Sequence, residues 1–94
     1  MLVTPDSRVK RTMKASWQEI EGETVLLVLQ EEKLLGLNRV AGRIWQLADG
    51  TRTTGEIAGV VAADFDGTRD RILEDTLAFA RLLAERGLLE VVIP

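Results

Sequence analysis

Thr24–Gly50, TVLLVLQEEKLLGLNRVAGRIWQLADG, contains a change of hydrophobic period on which the fold depends. Thr24–Gln30 is β-branched and leucine-rich, and Glu31–Glu32 separates it from a second short apolar run, Lys33–Leu37. Both runs have the length and composition of strands. At Asn38 the pattern switches. Val40, Ala41, Ile44, Trp45, Leu47 and Ala48 recur at helical spacing behind an asparagine suited to cap a helix, and Asp49–Gly50 ends the run. Strands therefore precede Asn38 and helices follow it.

Upstream, Ser16–Glu21 reads as a further short strand, with Gly22–Glu23 as a tight turn. Three strands on such short connections make an antiparallel meander with Thr24–Gln30 at its centre. Val9, Arg11 and Met13 alternate and extend the first strand towards the N-terminus. The central strand is apolar on both sides: Val25, Leu27 and Leu29 share one face, Leu26 and Val28 the other. A sheet with one solvated face would alternate with polar residues. The second face is therefore expected to be covered by the N-terminal segment, by the tail Leu88–Ile93 or by another chain.

Downstream, Thr53-x-x-Glu56 is a capping box that opens a second helix with Ile57, Val60, Val61 and Phe65 on its apolar face. Asp66–Gly67 breaks it, Thr68 caps a third helix over Arg69–Arg86, and Gly87 stops that helix. The tail Leu88–Ile93 adds a short strand. The expected fold class is α+β, a three-stranded antiparallel sheet followed by a three-helix winged helix-turn-helix, in one domain over residues 1–94. On the third helix, Ile72, Thr76, Phe79 and Leu83 form one stripe, and Leu73, Leu77, Ala80 and Ala84 a second, rotated by about 100°. Together they span about 160°, wider than the ~100° that seats a surface helix. The second stripe is the sequence's best candidate for a surface in surplus of the core, while helix geometry alone equally allows the sheet and the other helices to use the whole arc.

The composition excludes much chemistry. The 94 residues contain no Cys and no His, which removes disulfides, thiolate nucleophiles, imidazole acid–base catalysis and the usual zinc sites. Asp64 and Asp66 beside Gly67 lack the terminal Glu of a calcium loop. Asp70, Glu74 and Asp75 suit the start of a helix, and no glycine set forms a phosphate-binding loop. Neither a cofactor, a metal nor a catalytic constellation is expected. Trp45 reads as core. The net charge of −3 and pI near 4.9 argue against nucleic acid, and Arg8, Lys10, Arg11 and Lys14 read as a solvated edge. No apolar run reaches membrane length, and residues 1–14 have no signal-peptide core, so a cytoplasmic protein is expected.

Leu37–Asn38, Ile44-Trp45-Gln46-Leu47-Ala48-Asp49-Gly50, Thr53-Thr54-Gly55-Glu56-Ile57-Ala58, and Asp75 with Phe79, Leu83 and Gly87-Leu88-Leu89 occur in that order over roughly residues 16–90. In this order and spacing the chain resembles the PqqD-like family, the precursor-peptide recognition elements. Ile44–Trp45 before the Asp–Gly turn is similar to the stand-alone members of lasso-peptide pathways. The resemblance implies a non-enzymatic protein that binds the leader segment of a ribosomally made precursor peptide and hands it to a leader peptidase or other maturation enzyme. It further implies that the leader adds as a strand to the third strand and lies against the third helix. Carried onto this chain, the expected peptide-binding residues are Lys33, Leu34, Leu35, Gly36 and Leu37 on the strand, and Leu73, Thr76, Leu77, Ala80 and Ala84 on the helix. Thr76 departs from the aliphatic residue usual after the Asp, which implies a locally more polar groove. Competing expectations are a winged-helix DNA-binding regulator, which would need a basic third helix, a peptide chaperone of pyrroloquinoline quinone biosynthesis proper, and an assembly domain that dimerises through its open strand.

Overall fold

The computed structural model of the chain describes residues 2–92. In chain order the elements are β1 (Arg8–Arg11), β2 (Ala15–Ile20), β3 (Glu23–Val28), β4 (Lys33–Leu37), α1 (Arg39–Leu47), β5 (Asp49–Thr53), α2 (Thr54–Asp64), α3 (Arg69–Glu85) and β6 (Leu89–Val92). They build two antiparallel three-stranded sheets, ordered β2-β3-β4 and β5-β1-β6.

The expected meander and three helices are present. The β2–β3 turn falls one residue earlier than the sequence suggests: Glu21 (φ 52°) and Gly22 (φ 84°) are its two central residues. Two successive left-handed residues match the twist of a tight hairpin, and the register closes on Ile20 opposite Glu23. Asn38 caps α1 by accepting from the Ala41 N–H at 2.8 Å. Thr53 and Glu56 form the reciprocal capping box on α2, at 3.1 and 2.9 Å. Thr68 caps α3, and Gly87 (φ 75°) follows its end.

The N-terminal segment does not extend β2. It forms β1, which pairs with β6 from Arg8 opposite Val92 to Arg11 opposite Leu89, and on its other side with β5. The expected tail strand is thus real over Leu89–Val92, while Ile93 lies outside the described residues. Arg11 is no solvated edge. Its guanidinium donates to the Trp45 and Gln46 carbonyls at 2.9 and 2.7 Å, satisfying the open C-terminal end of α1, and it stacks over Trp17.

The core lies between the inner face of β2-β3-β4, the three helices and the β1 sheet. Trp45, Leu26, Ile44, Ile57, Leu83, Leu88, Leu89, Val3 and Val9 are fully buried within it. α1 crosses the inner face of the meander so closely that a Cβ on Gly42 would lie 2.6 Å from the Thr24 hydroxyl. The outer face has no cover among the described residues: Ile20, Leu27, Leu29 and Leu34 are all exposed. The two termini, either of which could have covered it, pair with each other in the second sheet instead.

Candidate functional site

The meander has a free border along β4, since β3 lies on its other side. Opposed pairs in an antiparallel ladder alternate between bonded and non-bonded, so the two ends of the meander determine which backbone groups are free. Ile20–Glu23 closes a two-residue turn, and the Leu29 N–H donates to the Lys14 carbonyl at 3.0 Å. The odd-numbered residues of β3 therefore bond to β2. Thr24, Leu26 and Val28 bond to β4 through Leu37, Leu35 and Lys33. The N–H and C=O groups of Leu34 and Gly36 point away from the sheet, available to an added strand.

α3 runs beside this border. Arg86, just past its end, donates to the Glu31 carboxylate in the β3–β4 turn at 3.1 Å. At the other end, Asp75 and Phe79 line a hollow of about 310 Å³ with Asn38, Val40, Ala41 and Ile44, just beyond β4. Asp75, Phe79, Leu82 and Arg86 are spaced four, three and four apart and share one helix flank. Phe79 is half-buried and Leu82 is 53% exposed. β4 and this flank are tied at one end by Arg86–Glu31 and meet the Phe79–Asn38 hollow at the other, so they stand as the two walls of a trough with charged ends.

The sequence-derived helix residues belong elsewhere. Thr76 and Ala80 have no exposed surface and Ala84 very little. The Thr76 hydroxyl donates to the Ile72 carbonyl at 2.7 Å, so it satisfies itself within the core and does not make the groove more polar. Leu73 faces α2, in a depression with Gly59, Ala62 and Ala63, and Leu73 and Leu77 both pack against the core. The wide arc of α3 is filled because α2 covers one flank and the core its middle. The flank beside β4, with Phe79 and Leu82, was missed. Its signal was present as one half-buried aromatic and one leucine among charges, weaker than a continuous stripe. On β4, Lys33, Leu34 and Gly36 are exposed, Leu35 turns inward half-buried, and Leu37 is core.

Electrostatically the trough is mixed. Arg86 is paired with Glu31, and Arg81 donates to the Val3 carbonyl at 2.9 Å, so two of the α3-end arginines that DNA binding would need are engaged. The resolved pKa shifts lie in the turn joining α1 to α2. Asp49 is lowered by hydrogen bonds from the Thr51 side chain and backbone and by Arg52, and Glu56 by the Thr53 backbone and hydroxyl. Both serve local structure. No cluster of three or more potential metal ligands occurs among the described residues, and no helix there is long and apolar enough to cross a membrane.

The family model for coenzyme PQQ synthesis protein D (PqqD) matches residues 23–89, from β3 into β6. The chain belongs to the PqqD family. The PqqA binding protein of Bradyrhizobium diazoefficiens is 32% identical over 69 residues, 73% of this chain and 67% of that protein. TbiB1, solved in complex with the TbiA(beta) leader peptide, superposes with a TM-score of 0.76 at 32% identity, over 90% of this chain and 99% of TbiB1. A lasso peptide synthetase B1 complexed with the leader peptide shares the fold at a TM-score of 0.76 and 19% identity, covering 88% of this chain and 98% of that one. The PqqD part of Methylobacterium extorquens PqqCD, a stand-alone recognition element for ribosomally made, modified peptides, does so at 0.74 and 23%, covering 95% of each. Both walls of the trough fall within the PqqD match.

Proposed function

We propose that this chain binds the leader segment of a ribosomally synthesised precursor peptide as a fourth strand on β4, and presents it to a separate maturation enzyme of a lasso-peptide pathway. The observation that carries this is the outward backbone of Leu34 and Gly36 facing the Phe79–Leu82 flank, in a chain 32% identical to a protein solved with a leader peptide. Backbone pairing provides affinity with little sequence demand, and every second leader side chain would drop between β4 and α3. The hollow bounded by Phe79, Val40 and Ala41 would seat an apolar residue, with Asp75 at its rim favouring a basic neighbour. A disordered leader loses conformational entropy on docking, so dissociation constants between micromolar and nanomolar are expected. The chain's part is to hold the peptide while the covalent chemistry falls to its partner.

The test is calorimetric titration of the chain with its own leader. Leu34→Pro removes an outward N–H but none of the β3–β4 bonds, and leaves a leader carbonyl unsatisfied. It should weaken binding by about 1.4–2.8 kcal/mol, about ten- to a hundredfold, with the melting temperature nearly unchanged. Leu35→Pro, which removes an internal ladder bond, should instead lower the melting temperature. Full affinity in Leu34→Pro would show that the leader does not use this border.

A further inference from the structure

The trough beside β4 differs in charge at its two ends. At the Leu37 end stands Asp75, with no lysine or arginine nitrogen of the described residues within 4 Å. At the Lys33 end, Lys14, Glu31 and Arg86 line a second hollow, of about 340 Å³, with Val28, Gln30 and Leu88. Two cations and one carboxylate meet there, on a chain whose net charge is −3. Arg86 uses a single guanidinium nitrogen, Nη2, to bond Glu31 at 3.1 Å. Its Nε and Nη1 keep the donors that hold a second carboxylate. Lys14 makes no ion pair among the described residues, and its amine stands 3.0 Å from where a Cβ on Gly87 would lie. A cation suits that end of α3 in itself, and an ammonium with three donors still has some to offer the hollow.

The backbone determines what reaches this hollow. An added strand bonds at Gly36 and Leu34. The next outward position would be Glu32, whose left-handed backbone (φ 52°) in the β3–β4 turn ends the ladder. An antiparallel partner, the pairing that β2 and β4 both make with β3, runs from the Leu37 end to the Lys33 end. Its last paired residue lies opposite Leu34, and the residues that follow pass Arg86 and the hollow. We propose, resting on the reading of the trough given above, that the hollow between Lys14 and Arg86 is a carboxylate subsite. It takes an aspartate or glutamate of the precursor just C-terminal to the paired strand. With Asp75 favouring a basic residue at the entry, the trough then reads the direction of the leader. A leader laid in the parallel sense would set its acid against Asp75 and its base against Arg86, and like charges would oppose it.

The test uses the full chain and fluorescent copies of its own leader. Amides protected from hydrogen exchange in the complex mark the paired segment. Every Asp and Glu outside that segment is replaced by Gln, and a single Glu is then moved one position at a time along both flanks. Anisotropy titration at low salt should find one position, or two neighbouring ones, on the C-terminal flank where affinity rises about fivefold over the all-Gln leader. The gain should disappear in about 0.5 M salt. Lys14→Gln and Arg86→Gln should each reduce it below about twofold, whereas Glu31→Gln, which frees the rest of the guanidinium, should keep or enlarge it. A flat scan would overturn the proposal, as would a gain confined to the N-terminal flank or one that ignores both cation substitutions. Loss of the gain in Glu31→Gln as in Arg86→Gln would reduce the hollow to a structural bridge and overturn it too. If the natural leader fails to bind the unaltered chain, or binds Leu34→Pro equally well, the trough reading falls first and this one with it.

Discussion

Sheet β5-β1-β6 joins strands from opposite ends of the chain, whereas β2-β3-β4 is a meander of neighbours. The first brings Val9 and Leu89 into the core and ties both termini to the wing strand between α1 and α2. Its strands meet only when the whole fold is formed, so it carries closure of the domain. The second sheet satisfies its own ladder through two short turns and needs the rest of the protein only on its inner face. It can therefore leave an edge and a face unused. Long-range pairing is concentrated in the first sheet, and the border proposed for the leader lies in the second.

Exchanging the roles should fail in a graded way. Val9→Asp buries an unpaired charge in the closing sheet and should cost more than about 4 kcal/mol, seen as loss of the cooperative thermal transition. Leu82→Asp places a charge on the trough wall without touching the core; chemical denaturation should show a change within about 0.5 kcal/mol, and leader titration a roughly tenfold loss of affinity. Leu77→Glu, on the flank facing α2, should do the reverse, lowering stability by about 2 kcal/mol while leaving leader affinity within about twofold. A leader affinity that followed Leu77 and ignored Leu82 would move the site to the other side of α3. The smallest effect concerns the turn between α1 and α2. Asp49 and Glu56 have lowered pKa values, so their contribution to stability is complete above the ordinary carboxylate range and disappears as the pH falls through their lowered values. A melting series into acid should show that loss in the unaltered chain and a smaller one in Glu56→Gln, which has no carboxylate to protonate at that position.

The strand border of the proposed site was legible in the sequence, and the flank of α3 that the structure sets beside it was not. Lys33–Leu37 stands out because strand pattern stops at Asn38, so the last strand of a meander must be an edge. α3 offered two apolar stripes of similar strength, and nothing along one helix says which neighbour covers which flank. Leu73 lines a depression with α2, and Phe79 lines a hollow with Asn38, just past β4. β5 escaped notice because DGTRT opens on Asp and Gly and has no apolar residue to alternate, and it pairs because β1 is beside it.

Local chemistry set the elements. The Asn38 cap, the Thr53–Glu56 box, the glycines at 22 and 87 and the shift from period two to period 3.6 act over a few residues, so they can be read directly from the letters. Which surfaces remain free depends on long-range pairing. Whether the termini cover the meander or join each other is a competition between two burials of similar apolar segments, decided by the geometry of the assembled core. Here β1 found β6, and the outer face of β3 was left open.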